Sequence, residues 1–231
     1  MSTHADLLNL GLPKWPAMIV RGTSVTVEQA REIIRRTDTA FQRGISGNDR
    51  VFNEKLAERM ELPRGSVLRW DENMTGEDYA ALDAWRERWG VIDSEYITNR
   101  WIASTYIGGP HGWCHPDGTI RFDTNVGKWP SVEEIFQEWT RVAAAFPFLD
   151  LTATLMSGEY CDDDITPLVT IRVQEGRATL EDPQPVGDRA TDIPDGYMEN
   201  LFSGRSGREC GIPMDWFDHW RDINISLRTK E

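Results

Sequence analysis

The sequence predicts an α+β protein, an antiparallel β-sheet carrying helices. Three observations lead there. Apolar residues recur every three to four positions through most of the first ninety residues, and from about residue 93 the spacing shortens to two. The best-specified helix, from Ser131 to Phe146, lies between two segments that alternate like strands. Glu175-Gly176 sits between Leu168–Val173 and Arg177–Leu180 as a tight turn, which reads as a hairpin. The expected organisation is a mainly helical region over 1–92, a sheet-bearing region over 93–183, and a loop with a closing helix over 184–231, together one compact unit.

Residues 1–24 read as irregular, with Met18-Ile-Val20 a short strand candidate. A helix follows with a clear start. Thr26 can cap it, Gln29 stands three residues on as in a capping box, and Val25 can staple against Ala30. Val27, Ala30, Ile33 and Ile34 form its apolar stripe. After a glycine-containing loop, Asp49 can open a second helix with Phe52, Leu56, Ala57 and Met60 on one face, stopped before Pro63. A third begins at Thr75, buries Tyr79, Leu82, Trp85 and Trp89, and ends at Gly90.

Strands are then expected at Glu95–Thr98 and Trp101–Ile107, rich in β-branched and aromatic residues. Another is expected at Thr119–Asp123, with Ile120 and Phe122 inward. Ser131 and Glu134 form the capping box of the helix whose face is Val132, Ile135, Phe136, Trp139, Val142, Ala143 and Phe146. Burying its larger side chains contributes on the order of 10–15 kcal/mol gross, an upper bound because unfolded chains are partly compact. Leu149–Leu155 is a strand, and an acidic turn leads to the hairpin. Tyr197–Phe202 is a short helix, and Pro213 opens a last helix with Trp216, Phe217, Trp220 and Ile223 inward. No internal repeat is present.

The net charge is −13 over 231 residues, and it is unevenly spread. Between Asp150 and Glu199 twelve acids face Arg172, Arg177 and Arg189, so that stretch carries −9 of the −13. Such a field repels a phosphate backbone and disfavours direct nucleic-acid binding, while it suits solubility or a basic protein partner. No run approaches the ~20 apolar residues of a membrane span, and Met1–Asp6 lacks the basic start and apolar stretch of a signal peptide. Three scattered cysteines (Cys114, Cys161, Cys210) read as reduced thiols, hence a cytoplasmic expectation.

The densest chemistry is the stretch Gly108-Gly-Pro-His-Gly-Trp-Cys-His-Pro-Asp-Gly118, a long connection between two strands. Its catalytic candidates are His111, Cys114, His115 and Asp117, since imidazole can hold a nearby thiolate. His111 and Cys114 are spaced so that both can turn toward one zinc ion, but a structural site needs four ligands and no second His/Cys pair exists. No metal and no cofactor is therefore expected. The plainer reading is a loop packed down by Pro110, Trp113 and Pro116. The acidic turn Glu159, Asp162, Asp163 and Asp164 offers carboxylates to Mg²⁺ or Ca²⁺ but lacks the spaced ligands and central glycine of a calcium loop, and reads as a solvated turn. Most tryptophans fall on helix faces; Trp113 and Trp129 stand in or beside loops and are the candidates, with Lys128, for an exposed recognition patch.

From Trp101 to Pro183 the chain resembles a ferredoxin-like domain found in phage and mobile-element proteins of unknown function. The resemblance rests on Phe122-Asp-Thr-Asn-Val-Gly-Lys-Trp-Pro130, the amphipathic helix, and Ala145-Phe-Pro-Phe-Leu-Asp-Leu151. It implies a ferredoxin-like antiparallel sheet, on which the helical N-terminal part read above is expected to pack, with the short C-terminal helix. It also implies a phage or prophage origin, and it carries no catalytic residue. The resulting expectation is a non-catalytic accessory protein that binds and modulates a host or phage protein through Trp113, Trp129, Lys128, Asp162, Asp163 and Asp164. The alternative is a small hydrolase-type enzyme or zinc-binding protein using the His111/Cys114/His115 loop.

Overall fold

The computed structural model describes residues 2–37, 63–64, 73–92, 113–114, 118–127, 129–159, 162 and 164–187. The helix expected from Asp49, the strands at Glu95–Thr98 and Trp101–Ile107, and everything expected after residue 187 lie outside the described residues. The chain divides into two compact units, Met1–Ala30 with Ser94–Thr98 and Trp113–Thr191, and Arg31–Asp93 with Asn99–Gly112 and Asp192–Glu231.

The first unit opens with α1 (His4–Leu8) and β1 (Ala17–Gly22). Helix α2 (Val27–Thr37) starts in this unit and continues as part of the second, where α3 (Gly76–Trp89) follows. The first unit resumes with β2 (Arg121–Asn125), α4 (Val132–Ala145), β3 (Asp150–Met156), β4 (Pro167–Gln174) and β5 (Arg177–Glu181). The strands form one antiparallel sheet in the order β2-β1-β3-β4-β5. An α+β architecture with an antiparallel sheet is therefore what these residues adopt. Because β2 and β3 are both antiparallel to the intervening β1, they run parallel to each other, and β2-α4-β3 is a split β-α-β unit.

Strand β1 shows how the sheet is built. Ala17, Met18, Ile19 and Val20 are all buried, because an inner strand covered on both faces has no reason to alternate. On one face, Met18, Val20, Phe122, Leu151, Ala153, Leu155, Val169, Ile171 and Val173 make an apolar floor. Helix α4 packs against β4 and β5. Its capping box forms as expected, Glu134 N–H donating to Ser131 Oγ at 3.1 Å and Ser131 N–H to Glu134 Oε2 at 3.0 Å. Val132, Ile135, Trp139, Val142, Ala143 and Phe146 are buried. Phe136 is half-buried, with the His4 ring of α1 edge-on to it at 5.6 Å.

The other face is mixed. Ala17, Ile19 and Met156 are covered by Ile165 and Val186, and Gln184 N–H reaches across to the Thr170 hydroxyl at 3.1 Å. Beyond that cover lies a polar row, Arg121, Arg21, Thr152, Arg172 and Thr179 in register across all five strands. Arg21 pairs with Asp123, whose side chain is inaccessible to solvent, and Arg172 pairs with Asp150.

In the second unit, α3 has the start and stop read from the sequence. Thr75 caps it with Asp78 completing a capping box, and Gly90 closes it in the left-handed region. Leu82 and Trp85 are buried, but Tyr79 is 58% exposed, so the apolar stripe is narrower than expected. Val27 of α2 is likewise exposed, whereas Ala30 and Ile33 are buried. Arg36 joins the two segments, accepting Ile92 N–H on its carbonyl at 2.7 Å and donating from Nε to Gly90 O at 3.1 Å.

Candidate functional site

Within the 108–118 stretch, Trp113, Cys114 and Gly118 are core rather than surface. Cys114 bridges antiparallel to Ile120, and Arg121 N–H donates to Trp113 O at 3.1 Å, so the chain folds straight back on itself into β2. Trp113 has no solvent exposure and packs against the equally buried Trp139 of α4, ring centroids 5.4 Å apart at 58°. The expectation that Trp113 belongs to an exposed patch is thereby corrected: its indole fills the core beneath α4. Cys114 is also at 0% exposure. A thiol so placed behaves as a small apolar side chain, whereas a nucleophile or redox thiol needs access and a thiolate-stabilising environment.

Gly118 fixes this return. Its φ is +92°, and a Cβ there would stand 2.0 Å from the Val25 carbonyl oxygen, while Val25 N–H donates to Gly118 O at 2.9 Å. Gly118 is thus clamped backbone-to-backbone against the segment before α2. His111, His115 and Asp117 lie outside the described residues, as do Lys128 and Asp163. Among the described residues no group of three or more His, Cys, Asp or Glu could hold a metal ion, and no helix is long and apolar enough to cross a membrane.

A different set of candidates converges at one end of the sheet, where β1 and β4 begin and β2, β3 and β5 end. The segment before β1 lies in the middle of that rim. On one side it accepts Val126 N–H at Pro16 O and Trp129 N–H at Lys14 O, both at 2.9 Å. On the other, Ala17 N–H donates to Gly158 O at 2.7 Å, joining it to the β3–β4 connection that holds the acidic turn.

Trp129 is 66% exposed and has φ +57°, a left-handed backbone in which a non-glycine residue costs about 1–2 kcal/mol. Lys14 Nζ stands 6.0 Å from its ring centroid. Trp129 thus combines a strained backbone with an exposed large aromatic ring, the pairing that makes it a candidate recognition residue. Across the rim, Asp162 folds its own turn: Glu159 N–H donates to its Oδ2 at 2.8 Å, and Asp162 N–H returns to Glu159 O at 3.0 Å. Asp162 and Asp164 are exposed. Glu133 and Glu134 of the first turn of α4 are exposed on the Trp129 side. Asp182, just past β5, accepts Ser2 N–H at 3.2 Å, and hydrogen bonding from Ser2 holds its carboxyl below the usual carboxylate range.

Comparison with family models, with curated proteins and with solved structures finds no match to this chain. The rim brings together one exposed, strained tryptophan and carboxylates on either side of it. Sequence reasoning picked out Trp129 and the acidic turn separately. It missed their common location, because that follows from the place of β1 between β2 and β3. It also missed Lys14, Glu133 and Asp182, which no local motif distinguishes from ordinary surface residues, and it read Glu134 only as a helix cap.

Proposed function

We propose that this chain is a non-catalytic protein-binding module whose acidic, aromatic rim docks a basic protein partner. The observation that carries the reading is Trp129, exposed and strained beside Lys14 on a rim that also bears Glu133, Glu134, Glu159, Asp162, Asp164 and Asp182. Aromatic residues are the side chains most often found as binding hot spots, and surrounding charges set partner choice and encounter rate. The partner's matching surface presents lysine or arginine around an apolar pocket able to take an indole. The burial of Cys114 supports binding over thiol chemistry. With the resemblance to ferredoxin-like phage proteins, the reading becomes an accessory protein acting on a host or phage protein in the cytoplasm. The split β-α-β unit is the part of the fold consistent with that resemblance.

The test is affinity capture at low and moderate salt, identification of the captured protein, and reconstitution with that protein purified. The expected partner is basic, and its complex weakens with salt, with Trp129→Gly, and with Asp162→Asn combined with Asp164→Asn. A reconstituted complex indifferent to all three would refute the rim as its binding surface.

A further inference from the structure

Among the described residues the sheet ends at β5, and its outer edge carries a pattern that is complementary to itself. The hairpin into β5 turns on Glu175 (φ +51°) and Gly176 (φ +74°), a two-residue turn with both central residues left-handed. Such a turn makes the flanking pair, Gln174 and Arg177, the first hydrogen-bonded pair of the ladder. Alternation then assigns the backbone groups of Arg177, Thr179 and Glu181 to β4. Those of Ala178 and Leu180 point away from the sheet. Arg177 and Thr179 are exposed, and Ala178, Leu180 and Glu181 are half-buried. The strand has no proline, no lysine and no bulge, three of the devices by which edge strands avoid pairing; helix α1 packs against it and against α4 without taking a hydrogen bond from Ala178 or Leu180.

We infer that β5 is the interface of a symmetric dimer, in which two copies pair antiparallel about Thr179 and join their sheets into one. In that register Ala178 lies opposite Leu180 of the second copy, and Leu180 opposite Ala178. These are the two residues whose N–H and C=O groups face outward, so both pairs exchange their backbone hydrogen bonds without disturbing the β4–β5 ladder. Thr179 meets its own equivalent. Arg177 lies opposite Glu181 of the other copy, and Glu181 opposite Arg177, in non-hydrogen-bonded pairs where side chains approach most closely, Cα atoms about 4.5 Å apart. A one-residue slip in either direction would lose both the opposite-charge pairs and the match of outward-facing groups, so one register is favoured over its neighbours. A second copy fits this edge better than an arbitrary strand because both the charges and the hydrogen-bond phase are self-complementary. This dimer uses no residue of the Trp129 rim and stands independently of the binding role proposed above.

The experiment is sedimentation equilibrium of the full chain from low to high micromolar concentration, with circular dichroism confirming the fold of each variant. The wild type is expected to be dimeric. Ala178→Pro removes an N–H that points outward, so it leaves the intrachain ladder intact and should yield a folded monomer. Arg177→Glu places like charges opposite each other at both symmetric positions and should weaken the dimer about tenfold or more. Combining Arg177→Glu with Glu181→Arg restores opposite pairs and should restore the dimer. A wild type that stays monomeric, a dimer unaffected by Ala178→Pro, or a folded charge-swapped double variant that remains as weak as Arg177→Glu would each overturn the inference. A monomer that instead takes up an extended strand from another protein would overturn it as well, and would reassign the edge to that partner.

Discussion

Replacing Trp129 with glycine should leave the fold intact, although it deletes the largest side chain type in the protein. Glycine relieves the left-handed strain at φ +57°, about 1–2 kcal/mol. It adds freedom to the unfolded chain, which costs about 0.4–1 kcal/mol. The Lys14 ammonium, at 6.0 Å and on an exposed ring, lies at the outer limit of useful cation–π contact, so its loss costs about 0.5 kcal/mol. These nearly cancel, and native stability should change by no more than about 1 kcal/mol in either direction. Trp113→Ala is the matched control. That indole has no exposure and packs against Trp139, so its removal should cost about 3–5 kcal/mol. Urea unfolding followed by far-UV circular dichroism measures both without relying on indole fluorescence. If Trp129→Gly loses 2 kcal/mol or more, the ring is a packing element and the rim loses its functional anchor. Should Trp113→Ala prove nearly neutral, the core assignment of the loop's end is wrong.

Three further expectations follow from the same geometry. Gly118→Ala should destabilise by at least about 2 kcal/mol, because a Cβ would enter the Val25 carbonyl at a φ that L-residues avoid; a urea midpoint within error of wild type would refute the clamp. Cys114 should be inert to a thiol reagent in the native protein and react on unfolding, with the Cys114→Ala variant identifying its share of the titration; rapid native labelling would reopen the catalytic reading. The Asp78 carboxyl is held below its ordinary value by hydrogen bonds from the Thr75 N–H and hydroxyl, with the Arg64 guanidinium adding to the effect. Its charge therefore stabilises the fold fully above the usual carboxylate pKa of about 4, and that stabilisation is lost as pH falls through the native value. The gap in urea midpoint between wild type and Asp78→Asn should narrow on acidification below pH 4, and a widening gap would show the sign to be wrong.

What the sequence made legible was whatever local chemistry specifies. Helix α4 has a reciprocal cap at Ser131 and Glu134, an unbroken apolar face and a proline just past its end, so its limits were readable to within a residue. The hairpin at Glu175-Gly176 was equally local. Strand β1 was harder: Ala17-Met-Ile-Val20 is a short continuous apolar run, and periodicity cannot distinguish an inner strand from a fragment of buried helix. Helix α1 was missed although Thr3 and Asp6 form the same reciprocal cap as Thr75 and Asp78, because five residues offer no periodicity to notice. The errors at Trp113, Tyr79 and Val27 share one cause. Exposure is decided by what other elements cover, and a loop position or a helix stripe does not encode that. The rim is the extreme case, since residues from the segment before β1, the β2–α4 connection and the β3–β4 turn meet only because β1 inserts between β2 and β3.

On the proposed binding role, that convergence also divides labour within the rim. In the proposed complex, Glu133, Glu159, Asp162 and Asp164 would act through a field that reaches about 8 Å at physiological ionic strength, and so before contact. The Trp129 ring would act only once desolvated, and so on how long that contact lasts. Asn at 162 can still accept Glu159 N–H through its side-chain oxygen, which makes Asp162→Asn with Asp164→Asn a change of charge rather than of turn geometry. Against a purified basic partner, that double variant should lower the association rate several-fold at low salt, flatten its salt dependence, and leave dissociation nearly unchanged. Trp129→Gly should do the reverse, raising the dissociation rate tenfold or more while association keeps its wild-type salt slope. Stopped-flow association and surface-plasmon dissociation separate the two rates. If both variants act on the same rate, the acids and the ring are not separate parts of one surface, and the strain at Trp129 needs another explanation.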